Sequence, residues 1–353
     1  MTYVDLSNTL LIIGAGAHVP YDMPSGHALR AEIKKLYTYN DYINFSIQPR
    51  DEVGKLKWNI LKTAMSLNVL STAERNSNKK VFDTGLSETH YKQYFELFLK
   101  SFSESHVLSI DTYLSNVQKE EDEFIREVFK LFGKLTIACV IQAFESSSPL
   151  GGRRDDWIHH FINSFVRKSP NDLFKFFPKI ITFNYDRIFE RMLFTHLTEF
   201  HKFSHLKAKT EIEQLNILHV YGSLGDYVEW QEITELPNFF ESAIANIKVI
   251  GEDRSDMKQV EDEIREKYKR ANRIYFLGYG FDEDNNRLLR TSFGFDDWEI
   301  NKEIYSTSIG IRKSDLSRIK KTLNTTKMIS RLPDRTMREV SCSDLLFEQA
   351  PLI

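Results

Sequence analysis

The chain predicts an α/β fold in which a parallel sheet is flanked by helices, and three observations point to it. Leu10-Leu11-Ile12-Ile13 is a run of four branched apolar residues, suited to a strand covered on both faces. It opens directly into the small-residue turn Gly14-Ala15-Gly16-Ala17, and comparable apolar runs ending in glycine or polar residues resume from Lys179 onward. Between them lies a long stretch with helical rather than strand periodicity.

The first strand and its turn offer a place for a phosphate. Gly14 and Gly16, flanked only by the methyl groups of Ala15 and Ala17, let backbone N–H groups come close to a ligand at the mouth of the strand. Small-residue turns after strands also arise for packing alone. An ordinary dehydrogenase fingerprint wants a third glycine near Val19 and a helix that starts at once. Here Pro20 and Pro24 delay the helix to about Gly26–Lys35, with Ser25 as its N-cap and Leu29, Ile33 and Leu36 on its inner face. That departure points to another nucleotide-binding family.

From Tyr37 to Lys168 the pattern is helical. Tyr91 to Phe102 forms one amphipathic run, and Glu121 to Phe144 forms another with Phe124, Val128, Leu131, Leu135, Ala138 and Ile141 at spacings of three and four. Ser71 to Gly85 is polar and predicts a surface loop, and Ser146 to Gly152 predicts a break between helices. The acidic run Glu120 to Glu123 fits a solvated helix start favoured by the helix dipole.

The sheet resumes with Lys179 to Phe183, which ends in Asn184-Tyr185-Asp186 before a helix from Arg187 to Leu193. Polar residues at the carboxyl end of a buried strand are where α/β sheets hold ligands, although Asn184 and Asp186 also suit capping of the helix that follows. Asn216 to Tyr221 predicts another strand, running into Gly222-Ser223-Leu224-Gly225. Glu252 to Arg270 predicts a charged amphipathic helix with Met257, Val260, Ile264 and Tyr268 inward; Lys267, Lys269 and Arg270 make a solvated end or an anion contact. Arg273 to Leu277 then leads to Gly278-Tyr279-Gly280-Phe281 and on to Asn285 and Asn286, and a last strand, Tyr305 to Ile311, precedes a helix from Ser314 to Leu323.

Whole-chain quantities narrow the function classes. With 353 residues, 41% apolar and 27% charged, the composition is that of a globular protein with one large core or two smaller ones. A net charge of −3, from 47 basic and 50 acidic residues, gives no global pull toward nucleic acid or an anionic membrane. Cys139 and Cys342, far apart and without partners at metal spacing, argue against both a structural zinc site and a disulfide framework. No signal peptide and no run of the ~18 apolar residues that a membrane span needs is present, so a cytoplasmic location is expected. The expected organisation is a discontinuous nucleotide-binding domain over 1–36 and 169–335, a helical insertion over 37–168 after the first strand and helix, and a tail over 336–353.

Four strand ends together carry a resemblance: Gly14-Ala15-Gly16-Ala17, Asn184-Tyr185-Asp186, His219-Val220-Tyr221-Gly222-Ser223 and Gly278-Tyr279-Gly280-Phe281. In order and context they resemble the sirtuin-like NAD-binding family, whose signatures are a GAG-x-S turn, a strand ending in N-x-D, a strand ending in H-G and a later glycine turn. Among its members the bacterial antiviral NAD hydrolases look most similar. The match covers the first thirty or so residues and roughly Lys179 to Ile311. It implies a Rossmann-like sheet and NAD+ as substrate, cleaved to nicotinamide and ADP-ribose without a metal.

The resemblance also implies roles for individual residues. Gly14, Ala15 and Gly16 would hold the pyrophosphate through backbone N–H groups, Gly278 and Tyr279 would lie by the adenosine half, and Ala17, Gly280 and Asn285 would also line the cofactor site. Asn184 would bind the nicotinamide ribose and orient the attacking water, and Asp186 would hold the carboxamide. His18, Pro24, Gly222 and Ser223 would complete the pocket. Two positions depart from the family pattern: His18 stands where the family has serine, and Tyr221 stands where its histidine precedes glycine. Residues two apart on a strand share a face, so His219 and Tyr221 both look toward the ligand side. His219 is the better general base near neutral pH, a core histidine is the plainer alternative, and Tyr221 would orient ribose. The deacylase branch carries a four-cysteine zinc module after the H-G strand; no cysteine lies between His219 and Gly278, which favours simple hydrolysis. A freely active enzyme of this kind would poison its own cell. Control by a protein partner from the same operon, or by homo- or hetero-oligomer assembly, is therefore expected, as the effector of an abortive antiphage defence. The competing expectation is a sensor or scaffold subunit that binds NAD+ or a related nucleotide without turnover.

Overall fold

The structure is a computed structural model that describes residues 5–39, 48–80, 86–149, 155–166, 173–225, 236–249, 254–293, 302–309, 340–349 and 351–352. Five strands, β1 (Thr9–Ile13), β2 (Lys179–Thr182), β3 (Leu218–His219), β4 (Arg273–Leu277) and β5 (Glu303–Ser306), form one sheet in the order β3-β2-β1-β4-β5. Every pairing is parallel. Helices α1 (Gly26–Thr38), α2 (Glu52–Ser66), α3 (Val69–Asn76), α4 (Glu88–Glu104), α5 (Ile110–Val117) and α6 (Glu123–Ser147) follow β1. Helices α7 (Trp157–Val166) and α8 (Leu173–Phe176) precede β2, and α9 (Ile188–Glu199) and α10 (His205–Gln214) lead to β3. Next, α11 (Leu236–Asn246) and α12 (Arg254–Lys269) precede β4, and α13 (Glu283–Phe293) joins β4 to β5. The fold is thus mixed α/β with a Rossmann-like parallel sheet and a large helical insertion.

The chain divides into two compact units. One holds Met1–Met23, Pro149–Val220 and Ser255–Ile353; the other holds Pro24–Ser148 and Tyr221–Arg254. These borders differ from the sequence-derived ones: α1 and the 221–254 segment group with the insertion helices, and residues from Pro149 group with the sheet.

In the sheet unit β1 is central, and all five of its residues are buried. A strand with neighbours on both edges and helices on its faces needs apolar side chains pointing both ways, which Leu10 to Ile13 supply. The chain builds β2 and β3 outward on one side of β1 and then crosses to build β4 and β5 on the other. The crevice between β1 and β4 is therefore the topological switch point, where open α/β sheets take their ligands. Register aligns the strand ends, because Ile13 pairs with both Thr182 and Leu277, and Thr182 pairs with His219. Gly14, Asn184 and Gly278 follow along one rim.

The two glycine turns at that rim pack backbone against backbone. Gly14 N–H donates to Leu277 C=O at 2.9 Å, and Gly16 N–H donates to Gly278 C=O at 3.0 Å. A Cβ on Gly14 or Gly16 would fall 2.7 or 2.8 Å from the Gly278 oxygen. Gly278 itself has φ +56°, and a Cβ there would lie 1.8 Å from the Ala17 nitrogen. All three positions exclude a side chain by contact, and Gly278 excludes one by conformation as well.

In the helical unit α6 is the axis against which α1 to α5 and α11 pack. Asp122 caps it by accepting from the Phe124 and Ile125 N–H groups, which gives the acidic run its place at a helix start. Phe95, Phe98, Phe102, Phe129, Phe132 and Tyr113 interlock as its aromatic core. The polar segment expected as a loop from Ser71 begins as helix instead: α3 runs to Asn76 because Leu70 and Ala73 are buried. Residues 81–85 of that segment, residues 310 and 311 of the expected last strand and the expected helix from Ser314 to Leu323 lie outside the described residues. Among the described residues no helix is long and apolar enough to cross a membrane.

The contrast between two glycines of one turn tests this packing. Gly278→Ala is expected to cost ~4 kcal/mol or more, whereas Gly280→Ala, where a Cβ meets nothing within 4 Å, should stay within ~0.5 kcal/mol. Urea denaturation of both variants measures the difference; equal stabilities would refute the close approach.

Candidate functional site

The turn after β1 places His18 against the end of β2. Residues Ala15–Ala17 form one 3₁₀ turn, Val19–Tyr21 form a second, and His18 joins them. Helix α7 holds this segment from the side. Trp157 Nε1–H donates to Ala17 C=O at 2.8 Å, while the Tyr21 hydroxyl donates to Asp156 at 3.0 Å and accepts from Ile158 N–H at 2.9 Å. The His18 ring lies near-parallel to Trp157, with centroids 6.4 Å apart, and edge-on to Tyr21 at 6.3 Å.

His18 Nδ1 meets Asp186 Oδ1 at 2.6 Å, and both side chains are buried. Burial on its own would raise the Asp186 pKa. The His18 ring, electrostatically and through its hydrogen bond, together with the Ile188 N–H at 3.2 Å and the nearby His219, outweighs it and holds this carboxyl below its ordinary 3.8. Asp186 is therefore a carboxylate that accepts, and Nδ1 carries the proton that it accepts. Asn184 Nδ2 lies 3.0 Å from the same Nδ1 and 3.4 Å from Gly14 C=O. With Nδ1 already donating, the carbonyl is the group that can take the amide hydrogen. Two buried polar atoms of this cluster, His18 Nε2 and Asn184 Oδ1, have no hydrogen-bond partner.

His219 is bound differently. Its Nε2 lies 2.7 Å from Glu190 Oε1 and its Nδ1 lies 2.9 Å from the Asn184 C=O, so both ring nitrogens face acceptors. Burial disfavours the imidazolium, but the Glu190 carboxylate, the Asn184 carbonyl and Asp186 raise the His219 pKa above its ordinary 6.5. A ring that donates from both nitrogens has no lone pair for water. His219, expected as the general base, is placed here as a half-buried ring with both nitrogens facing acceptors, where it fixes the backbone of Asn184.

The glycine turn also differs from its expected use. The N–H groups of Gly14, Gly16, Ala17 and His18 already donate to Leu277, Gly278, Gly14 and Ala15 carbonyls, so these four do not point to a pyrophosphate. The physical reason is twofold: the close approach of the β4 turn takes the Gly14 and Gly16 donors, and the 3₁₀ curl of the turn itself takes those of Ala17 and His18. Tyr279 is buried among Phe183, Phe276 and Phe281 rather than at a surface. Phe281 has φ +53°, an uncommon conformation for a bulky residue, and sits just past exposed Gly280. Asn285 belongs to the cap of α13, with its N–H 3.4 Å from Asp282 Oδ1. Its neighbour Asn286 is buried and donates to Phe281 C=O at 2.7 Å.

Pro24, Tyr221, Gly222 and Ser223 fall in the helical unit. There Tyr221 is buried and its carbonyl accepts from Lys248 N–H, Gly222 has φ +73° with no room for a Cβ beside Asn246, and Ser223 Oγ accepts from Gly225 N–H. Lys267, considered for an anion contact, is buried and donates to Asn216 C=O at 2.6 Å and pairs with Glu263.

Sequence reasoning missed Glu190, Trp157, Asp156 and Tyr21. Glu190 had a usable signal, since an acid four residues after Asp186 lies on the same side of the first helical turn. Trp157 had none, because its contact with Ala17 spans 140 residues. Compared with family models, curated proteins and solved structures, the chain finds no match.

The two shifted groups bracket the pH range of stability. His219, raised above 6.5, contributes fully below that value and loses its contribution as pH rises through its folded midpoint. Asp186, held below 3.8, contributes above that value and loses it as pH falls through its folded midpoint. Glu190→Gln should cost about 3 kcal/mol where His219 is charged, and the difference from wild type should shrink as pH rises. Denaturation between about pH 5 and pH 9, with NMR titration of His219, measures this; a pH-independent difference would refute the ion pair.

Proposed function

We propose that the chain is an NAD+ glycohydrolase that cleaves NAD+ to nicotinamide and ADP-ribose at the carboxyl ends of β1, β2 and β4. The observation that carries the proposal is the Asn184 amide oxygen, buried without a partner beside the His18–Asp186 pair at the carboxyl ends of β1 and β2. An acceptor left buried and unsatisfied costs about 1–3 kcal/mol, so its retention here fits a bound group that donates to it, such as a ribose hydroxyl or a water. Breaking the glycosidic bond develops positive charge on the ribose ring. The amide oxygen of Asn184 and the ionised Asp186 favour such charge, more so where bulk water is excluded.

The chain's part in a cell follows from the sequence resemblance. Depletion of NAD+ in bacterial antiphage defence, held in check by a partner protein from the same operon or by assembly, is the role proposed. A second reading is favoured by a specific observation: both nitrogens of His219, the residue expected as general base, are engaged within the protein. That arrangement suits a subunit that binds NAD+ or a related nucleotide as sensor or scaffold without turnover.

Purified protein incubated with NAD+, alone and with neighbouring gene products, should release nicotinamide, and Asn184→Ala should lower that release by ~10²-fold or more. Wild-type protein that binds NAD+ in calorimetry yet releases none, with weaker binding in Asn184→Ala, would select the sensor. Neither binding nor release would dismiss both.

A further inference from the structure

We infer that His18 Nε2 is the base that takes the proton from the water attacking the ribose, with Asp186 holding the ring in the tautomer that leaves this nitrogen available. The inference rests on the hydrolase reading of the site. It goes further by giving the base to a position where the resemblance expects serine, and by removing that task from His219.

The geometry of the two histidines separates them. His219 donates from both nitrogens, to Glu190 at 2.7 Å and to the Asn184 carbonyl at 2.9 Å. His18 has one nitrogen committed, at 2.6 Å from Asp186, and the other is buried with no partner. A carboxylate on Nδ1–H with Nε2 open is the arrangement by which an aspartate orients a histidine base and stabilises the imidazolium that forms. The groups facing the ring are Asp186 and Asn184 from the end of β2, Trp157 alongside it and Tyr21 at its edge. Tyr21 is itself bonded to Asp156, and His219 with Glu190 stands behind the Asn184 backbone. Asp186 is the one carboxylate among these that touches the ring.

In the step, the oxygen of water bonds to the anomeric carbon and the carbon–nitrogen bond breaks, its electron pair going to the nicotinamide nitrogen. Nicotinamide leaves neutral, the water proton passes to Nε2, and Asp186 pairs with the resulting imidazolium until that proton returns to solvent. Asn184, with its amide oxygen unpartnered, is placed to accept the water's second hydrogen.

The test compares wild type, His18→Asn, His18→Gln, Asp186→Asn and His219→Gln. Asparagine at 18 keeps a donor in the Nδ1 position and removes Nε2. Nicotinamide release in His18→Asn should therefore fall ~10²–10⁴-fold, with ADP-ribose affinity within about threefold of wild type. His18→Gln should show the same loss, which keeps the test intact if one variant fails to fold. Asp186→Asn should lower release by a comparable factor, and His219→Gln should lose stability without the loss of release seen in the His18 variants. Nitrogen NMR should find the His18 proton on Nδ1 at neutral pH. A folded His18→Asn or His18→Gln with wild-type release, or a neutral His18 protonated on Nε2, would overturn the assignment alone. A wild type that releases no nicotinamide would overturn the hydrolase reading and the base with it.

Discussion

The backbone contact between the turns after β1 and β4 is the constraint on which the rest of the sheet unit depends. Gly16 N–H on Gly278 C=O and Gly14 N–H on Leu277 C=O bring two loops so close that no Cβ fits at any of the three glycines. That closeness fixes where the chain leaves β1. It makes the next residues curl into consecutive 3₁₀ turns, and it delivers His18 toward the end of β2, where Asp186 waits. Helix α7 then clamps the curl through Trp157 and through Tyr21 with Asp156. Removing the glycines would displace the histidine, although none of them touches it through a side chain.

Two histidines lie on either side of Asn184, and their surroundings give them opposite characters. His219 faces a carboxylate and a carbonyl, so charge is favoured and the ring becomes a fixed donor. His18 faces a carboxylate on one nitrogen only. The segment Asn184 to Glu190 serves both: Asp186 takes His18, Glu190 takes His219, and Asn184 offers its carbonyl to His219 while its amide hydrogen goes to Gly14 C=O. Buried charges are costly unless paired, and here each anion has a cation or an N–H within hydrogen-bond distance. Asp186 also caps α9 through Ile188 N–H. The capping of α9 and the contact with His18 are therefore not rivals, because one oxygen makes both.

Much of this was legible in the chain, and the illegible part has a physical cause. Leu10 to Ile13 declared a buried strand because both of its faces are apolar, and Asn184 and Asp186 declared themselves by following another such run. Helix α6 was readable from its three-and-four spacing. By contrast, α3 was hidden because its exposed side is polar enough to pass for a loop, although Leu70 and Ala73 face inward. The His18–Asp186 contact joins residues 168 apart, and no local pattern reports such a distance. Residue type and strand position pointed to His219 as the better base than Tyr221, yet the acceptors around His219 come from Glu190 and a backbone carbonyl that only the fold brings near.

The same glycines that suggest a phosphate site in sequence explain why this turn is unsuited to hold one by its backbone. A cradle needs several N–H groups converging on empty space. At β1 four of those groups converge instead on carbonyls of the protein, and the partner turn fills the space that a phosphate would need. Glycine is required in both cases because both demand close approach, so the motif reports proximity without saying to what. On the hydrolase reading proposed above, recognition at this rim would fall to side chains, the unpartnered Asn184 Oδ1 and His18 Nε2, with exposed Gly280 leaving the β4 side uncrowded. A site built in this way places its polar groups around the reacting bond more than around the phosphates, which is where a hydrolase of a glycosidic bond has use for them.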